Sequence, residues 1–230
     1  MPNKFLFGFT RLKGELMERS YLCAKCVVRA CRKDDGTPNP KLCPMNDQEL
    51  LAEAMEEYKN EEIKNFYINA SLIEGLGQFQ WMRVKETMEF ARRMGYHKIG
   101  IAFCGGFHNE AKIMTKILER NGFEVVSIMC KAGGNDKTKI GIPEEMKVKP
   151  GRHESMCNPI FQAKTLNKAK TDFNIVMGLC VGHDSLFYKY IDGYTTTLAV
   201  KDRVLAHNPC AALYLEDHYF IDKLDLEENS

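Results

Sequence analysis

An α/β fold with a mainly parallel sheet flanked by helices is predicted by three features of the sequence. From about residue 97 onward, short apolar runs of strand length alternate with longer segments of helical periodicity. Three of these runs end at or close to a cysteine, in turns where a strand would stop. Residues 1–47 differ from the rest of the chain because they are rich in cysteine and proline. The expected architecture is Rossmann-like with three layers at 48–230, after a small cysteine-rich segment at 1–47.

Helices are expected before and between the strands. Asn46 or Asp47 can cap the first of them, because a short polar side chain there accepts a hydrogen bond from the first helical turn. Asn158 followed by Pro159 marks the start of a later helix in the same way. The helices are predicted over about 49–58, 61–76, 80–95 and 108–121, and from 159 onward.

Four apolar runs have the length of strands and contain many β-branched and aromatic residues. Because helices or long connections separate them, the strands are expected to run parallel, with any site at their carboxyl ends. A polar, glycine-rich stretch at 132–153 is long for a loop and is expected to be a mobile loop or a lid. The strands are predicted at about 98–103, 123–129, 172–179 and 195–200.

Composition excludes several classes of protein. The formal net charge is +1 over 230 residues, so no basic face is implied and a nucleic-acid partner has no support. The sequence contains no apolar stretch of about eighteen residues, so no membrane span is expected. The first residues lack the pattern of a secretory signal, and we therefore expect a cytoplasmic protein whose thiols stay reduced. The expected partner is a small molecule or a redox partner.

Four cysteines lie close together near the N-terminus, with the spacing Cys23-x2-Cys26-x4-Cys31-x11-Cys43. A gap of two residues lets two thiolates turn onto one ion, and a third and fourth thiolate complete the set. Four thiolates suit zinc or an iron–sulfur cluster, and the softness of the ligands does not separate the two. The alternative is four free thiols with no ion. We expect these four cysteines to hold one metal centre.

A second set of cysteines lies at the ends of predicted elements. Cys104, Cys130 and Cys180 each follow a predicted strand, and Cys157 precedes a helix, whose dipole lowers the pKa of a thiol. His183 follows Cys180 by three residues. If these residues share one cleft, they form a second metal site on the four thiols, a redox thiol pair, or a catalytic site in which Cys180 and Cys104 react and His183 is the base. The alternative is that each cysteine is a small buried hydrophobe.

Positively charged side chains are predicted at the same edge of the sheet. Lys131 follows Cys130 directly, and Lys201 and Arg203 follow the last predicted strand. We expect these three residues to neutralise an anionic substrate. The alternative is a solvated loop in which Arg203 pairs with the neighbouring Asp202.

These segments together resemble the uncharacterised cysteine-rich metal-binding protein family, domain-of-unknown-function family 1847. The resemblance covers most of the chain from about residue 20 onward. It implies metal binding by Cys23, Cys26, Cys31 and Cys43, and it implies no known substrate. Besides these four cysteines, the matching stretches are 100–104, 122–127, 130–131, 156–159, 162–163, 166–167, 178–187 (Gly-Leu-Cys-Val-Gly-His-Asp-Ser-Leu-Phe), 200–205 and 207–209.

Two functions from different classes therefore stay open. In the first, an iron–sulfur or zinc protein carries a cysteine-lined cleft with redox or thiol chemistry. In the second, the protein is not an enzyme; it contains structural zinc and binds a small molecule or senses metal or redox state. A weaker third option is an interaction module with an exposed apolar patch. A brown anaerobic preparation would favour iron–sulfur, and a colourless one with stoichiometric zinc would favour the second.

Overall fold

The computed structural model describes residue 21 and residues 23–225. Within this part of the chain the helices and strands alternate as an α/β fold requires, after three helices that precede the first strand. The elements are α1 (Gln48–Glu57), α2 (Glu61–Gly77), α3 (Arg83–Arg93), β1 (Lys98–Phe103), α4 (His108–Arg120), β2 (Glu124–Met129), α5 (Pro159–Ala169), β3 (Phe173–Met177), α6 (His183–Tyr190), β4 (Thr195–Ala199) and α7 (Cys210–Leu213).

The chain divides into two compact units, and the division falls inside α2. The first unit ends at Ile68 and the second begins at Asn69. Short 3-10 turns and α1 make up the described part of the first unit before α2. Asp47 caps α1, as expected, because its side chain accepts a hydrogen bond from the backbone N–H of Leu50 at 3.2 Å. The separate segment predicted at 1–47 stays a prediction.

The four strands of the second unit form one parallel sheet in the order β2-β1-β3-β4. The pairing of β1 with β2 runs in register from Lys98 opposite Glu124 to Phe103 opposite Met129. The chain first adds β2 on one side of β1 and then adds β3 on the other side. The strand order therefore reverses between β1 and β3, and in open parallel sheets this is the point where ligands bind, outside the carboxyl ends of the strands. The predicted parallel α/β fold is confirmed.

Helices cover both faces of this sheet and give three layers. Alternate residues of a strand point to opposite faces, and β1 shows both directions. Ala102 belongs to a buried cluster with Ala163 of α5 and Phe187 of α6. Phe103, its neighbour in the strand, borders a surface cleft that Ala111 of α4 also lines. The α5 and α6 layer and the α4 layer therefore lie on opposite faces of β1.

Aromatic rings attach α3 to the same face as α4. The ring of Phe90 in α3 lies 5.5 Å from that of Phe173, the first residue of β3, measured between centroids. Tyr96, in the turn after α3, stacks on Phe173 at 5.8 Å. Phe173 points to the same face as Ile175 and Met177, because it is separated from them by an even number of residues. These contacts bury the start of the central strand β3.

Gly100 in β1 leaves room for a buried amide, and alanine does not fit there. A Cβ at Gly100 would lie 2.2 Å from Oδ1 of Asn174, which is fully buried and accepts a hydrogen bond from Thr171 Oγ1 at 2.8 Å. We expect Gly100→Ala to lower the free energy of unfolding by about 2 kcal/mol, which urea denaturation would measure. Gly75→Ala in α2, where the new Cβ meets nothing within 4 Å, is the control and should not destabilise. Equal losses in both variants would contradict the explanation.

The long stretch predicted at 132–153 is a loop held together by charged groups. Lys147 is almost completely buried and pairs with Asp136 at 2.8 Å and with Glu144 at 2.7 Å. Asp136 also accepts the backbone N–H of Glu154 at 2.8 Å and faces Ser155 in an isolated antiparallel bridge. These contacts close the loop on itself before it enters α5. Its role as a lid stays a prediction.

Among the described residues, none of the helices combines the length and the apolar character that crossing a bilayer requires.

Candidate functional site

Two thiols lie side by side where β1 and β2 end. Phe103 pairs with Met129 in the sheet, so Cys104 and Cys130 are the next residues on two adjacent strands. The backbone N–H of Cys130 donates to the carbonyl of Phe103 at 2.8 Å, and that of Cys104 donates to Met177 at 3.0 Å. Neighbouring strands lie about 4.8 Å apart, which is within the Cα separation of about 4.4 to 6.8 Å that a disulfide spans.

A third thiol reaches the same point from the other side. Cys157 precedes Asn158, which caps α5 by accepting a hydrogen bond from Phe161 N–H at 3.0 Å. The backbone N–H of Asn158 donates to the carbonyl of Cys130 at 2.7 Å, and this bond brings Cys157 to the end of β2. Cys104 and Cys157 both pack against the buried cluster to which Cys130 belongs, and the backbone N–H of Gly105, next to Cys104, donates to Cys130 Sγ at 3.4 Å. The proton of the Cys130 thiol therefore acts on the pKa of both neighbouring thiols. The structure thus brings together three of the four cysteines predicted at element ends.

The proximity of these three thiols gives them different pKa values. The S–H of Cys130 donates to its neighbours and lowers the pKa of Cys104 to about 4 and that of Cys157 to about 5, although partial burial opposes both shifts. The pKa of Cys130 is raised, because its proton is shared with these two thiols and the residue is only 3% exposed. Cys130 carries one S–H and donates to one neighbour at a time, so the two lowered pKa values describe alternative positions of that proton.

Each outer thiol has a lysine as a partner. Lys201 and the backbone N–H of Gly106 stabilise the thiolate of Cys104, and Lys131 stabilises that of Cys157. The Lys131 ammonium is held by a hydrogen bond of 2.6 Å to the carbonyl of Ser155. Because Lys131 follows Cys130 in the chain, the end of β2 supplies both a thiol and the cation that acts on its neighbour.

The fourth thiol is paired with the third cation. Arg203 Nη2 donates to Cys180 Sγ at 3.3 Å, and this hydrogen bond is the largest cause that raises the pKa of the Arg203 guanidinium. The charges of Cys104 and Cys157 act on Arg203 in the same direction. We call the residues that share this site the thiol cleft: Cys104, Cys130, Cys157, Cys180, Lys131, Lys201 and Arg203.

His183 is the first residue of α6, and its backbone N–H donates to the carbonyl of Cys180 at 2.9 Å. When its ring is protonated, its charge favours the thiolate of Cys157. Within residues 21 and 23–225, no hydrogen bond joins its ring to a thiol. Its role as a base stays a prediction.

Two residues of the site are not among the site residues that the sequence predicts. Gln162 of α5 is fully buried, and its Nε2 donates to the carbonyls of Phe103 at 3.2 Å and Ile128 at 2.8 Å. Gln162 therefore links the last residue of β1 to the end of β2, close to Cys104 and Cys130. Its Oε1 is buried and has no hydrogen-bond partner among the described residues. A glutamine on the apolar face of α5 is the signal that could have identified it.

The second of these residues is Phe107, which fills the space beneath the loop after β3. Its ring is buried and lies 4.7 Å from Lys201 Nζ and 4.4 Å from the ring centroid of His207. Gly178 has a φ of +63°, and a Cβ at this position would lie 2.0 Å from the Phe107 ring. The close approach of Gly178 and Phe107 therefore sets the position of the loop that carries Cys180.

The four N-terminal cysteines lie in the first unit and line one pocket of about 290 Å³. Cys26 Sγ accepts a hydrogen bond of 3.4 Å from the backbone N–H of Arg29, whose φ of +51° is unusual for a residue with a side chain. Across residues 21 and 23–225, no group of three or more histidine, cysteine, aspartate or glutamate side chains is arranged to hold a metal ion. All nine cysteines of the chain are free thiols.

Comparison with known proteins shows which family the chain belongs to. An uncharacterised protein of Methanocaldococcus jannaschii is 45% identical to this chain over 189 residues, which are 81% of this chain and 95% of the relative. Residues 43–198 match the family described as a protein of unknown function, DUF1847. The match contains all four thiols of the cleft and Cys43, and it ends before Lys201 and Arg203. The chain therefore belongs to the DUF1847 family.

Proposed function

We propose that this chain is a thiol-redox protein that reacts through the thiol cleft, and that its N-terminal cysteines hold a metal centre. One observation supports the first part above the others. Cys104 and Cys157 pack against the buried cluster that contains Cys130, and each of the two is stabilised as a thiolate by its own lysine. A protonated thiol and a thiolate are thus neighbours. A nucleophilic thiolate next to a second thiol is the arrangement that dithiol–disulfide exchange requires.

The reaction that fits this arrangement is reduction of a disulfide substrate. The thiolate of Cys104 attacks one sulfur of the substrate, the substrate S–S bond breaks, and one half leaves as a thiolate. Cys130 then loses its proton to that leaving thiolate and attacks Cys104 Sγ, which releases the second half. The products are two substrate thiols, once the second half takes a proton from water, and a Cys104–Cys130 disulfide. The pair of electrons that reduces the substrate comes from the two cysteines.

The positive charges of the cleft act on the thiols themselves. Lys201, Lys131 and Arg203 face Cys104, Cys157 and Cys180, one cation to each thiol. The anion that they neutralise is therefore, in the first place, a thiolate of the protein. An anionic substrate would compete with these pairs.

Alkylation of single cysteines across pH tests the thiol chemistry. The full-length reduced protein is treated with iodoacetamide under anaerobic conditions, and mass spectrometry follows each cysteine. We expect Cys104 and Cys157 to react readily at about pH 6, where an ordinary thiol with a pKa of about 8.5 is almost fully protonated. Exposed Cys210, outside the cleft, serves as the internal reference. If Cys104 and Cys157 follow the pH profile of a free thiol, the proposal fails.

The metal centre is supported by a separate observation. Cys23, Cys26, Cys31 and Cys43 line the same pocket, and a backbone N–H already donates to one of their sulfurs. Thiolate ligands with such N–H bonds suit zinc and iron–sulfur clusters. These four residues would hold the ion or cluster, which would stabilise the fold of this segment or carry electrons.

Elemental analysis of protein purified without oxygen tests the metal centre. About one zinc, or about four irons with a broad absorption near 400 nm, is expected per chain. Cys43→Ser should release the metal, and Cys210→Ser is the matched control. Absence of both metals from the unmodified protein would contradict the proposal. Zinc together with unreactive cleft thiols would instead support a non-enzymatic protein that binds a small molecule or senses metal or redox state. We place the protein in the reducing cytoplasm, where its nine free cysteines would stay reduced.

A further inference from the structure

Cys130 has two thiol partners, and dithiol exchange uses only one of them. Cys104 and Cys157 both pack against the buried cluster that contains Cys130, and the N–H of Gly105, next to Cys104, donates to Cys130 Sγ at 3.4 Å. A sulfur that is joined to Cys104 in a disulfide keeps Cys157 as its neighbour, because the backbone bond from Asn158 to Cys130 at 2.7 Å holds the start of α5 in place. The third thiol therefore stands next to the disulfide that the proposed reaction forms.

We propose that Cys130 passes the disulfide from Cys104 to Cys157. This inference rests on the proposed dithiol function and concerns the step that follows it. The thiolate of Cys157 attacks Cys130 Sγ, the Cys104–Cys130 bond breaks, and Cys104 leaves as a thiolate. A Cys130–Cys157 bond forms at the same time. The step moves one S–S bond with no net oxidation, and no proton is taken up or released.

The surroundings of the three sulfurs favour this direction of transfer. Once Cys130 is in the disulfide it has no S–H to donate, but the other stabilising groups remain: Lys201 and the N–H of Gly106 act on Cys104 as the leaving thiolate, and Lys131 acts on the thiolate of Cys157. Cys130 is 3% exposed, so a thiol in solution does not reach its sulfur. Attack on Cys130 is therefore reserved for its two neighbours in the protein.

The transfer assigns attack on the substrate and storage of the oxidised state to two different cysteines. Cys104 is set free to attack a second disulfide, while the oxidised state is held at Cys157. Cys157 is half-buried and lies at the end of the loop that Asp136 and Lys147 hold together. A dithiol reductant regenerates the protein in two steps. Its first thiolate attacks Cys157 Sγ, the Cys130–Cys157 bond breaks, and Cys130 takes the proton of the second reductant thiol. That second sulfur then attacks the first, which releases Cys157 as a thiolate and the reductant as a disulfide. The substrate class is a disulfide, and the class of partner that restores the cleft is a dithiol.

Disulfide mapping over time tests the transfer. Reduced full-length protein receives one equivalent of cystine, and samples are quenched with acid, alkylated and mapped by mass spectrometry. We expect the Cys104–Cys130 disulfide first, and its decay should match the growth of Cys130–Cys157. In Cys104→Ser, the Cys130–Cys157 disulfide should form at least about tenfold more slowly, because the intramolecular route is gone. In Cys157→Ser, the first disulfide should accumulate, and Cys210→Ser should behave like the unmodified protein.

The outcomes separate the two proposals. A Cys104–Cys130 disulfide that forms and never moves would overturn the transfer and leave the dithiol function standing. Equal rates of Cys130–Cys157 formation with and without Cys104 would also overturn the transfer. If no pair of cleft cysteines is oxidised by cystine, the dithiol function fails, and the transfer fails with it. The time course of the unmodified protein decides the question even if a variant folds poorly.

Discussion

Gly178→Ala is expected to lower the free energy of unfolding by about 3 kcal/mol, because two costs fall on the same methyl group. The backbone at Gly178 has a φ of +63°, which strains any residue with a side chain. The new Cβ would also lie 2.0 Å from the ring of Phe107, which is buried between the loop and the ring of His207. Urea denaturation followed by circular dichroism measures the loss.

Gly182 provides a matched control in the same loop. Its φ is +81°, but a Cβ there meets nothing within 4 Å. Gly182→Ala should therefore lose only the backbone cost of about 1 kcal/mol. Phe107→Leu should reduce the effect of Gly178→Ala, because a smaller side chain gives the methyl group room, and a double-mutant cycle would show this coupling. Equal losses at Gly178 and Gly182 would mean that the ring of Phe107 plays no part.

Cys130→Ala is expected to raise the pKa of both outer thiols of the cleft. The S–H of Cys130 is the largest cause of the lowered pKa at Cys104 and at Cys157. A higher pKa leaves a smaller fraction of thiolate at a given acidic pH, so alkylation of both residues at about pH 6 should slow by at least about tenfold. Iodoacetamide labelling with mass spectrometry of the two peptides measures this change.

Two further variants identify the cause. Cys130→Ser keeps a hydrogen-bond donor of similar size and should retain most of the reactivity of Cys104. Cys210→Ala changes an exposed cysteine outside the cleft and should have no effect. If Cys104 in Cys130→Ala is labelled as fast as in the unmodified protein, Lys201 rather than the neighbouring thiol controls its acidity.

Much of the fold could be predicted from the sequence because local signals are strong in this chain. The first strand lies at the predicted residues, Lys98–Phe103, since a short apolar run there is bounded by a polar turn and by Cys104. Asn158 and Pro159 start α5 as expected, because the cap and the fixed φ of proline both act locally. The strand order could not be predicted, because adjacency in a sheet depends on contacts between distant segments.

The candidate site was predictable only in part. Positions at strand ends already indicated that Cys104 and Cys130 lie along one edge of the sheet. The contact of Cys157 with Cys130 depends on how a loop of more than twenty residues returns, which sequence spacing does not determine. The pairing of Arg203 with Cys180 likewise depends on side-chain direction. The expected role of the three cations in neutralising an anionic substrate stays a prediction.

The loop between Cys130 and Cys157 also bears on how the family can vary. Its two ends meet through the hydrogen bond from Asn158 N–H to the carbonyl of Cys130, and its middle is held by its own buried Lys147. A segment with joined ends and internal contacts is an insertion that the sheet does not depend on. Lengthening it costs only a few tenths of a kcal/mol per added residue or less. Relatives are therefore free to gain or lose residues at this position while the arrangement of thiols stays the same, and a second domain could be grafted there.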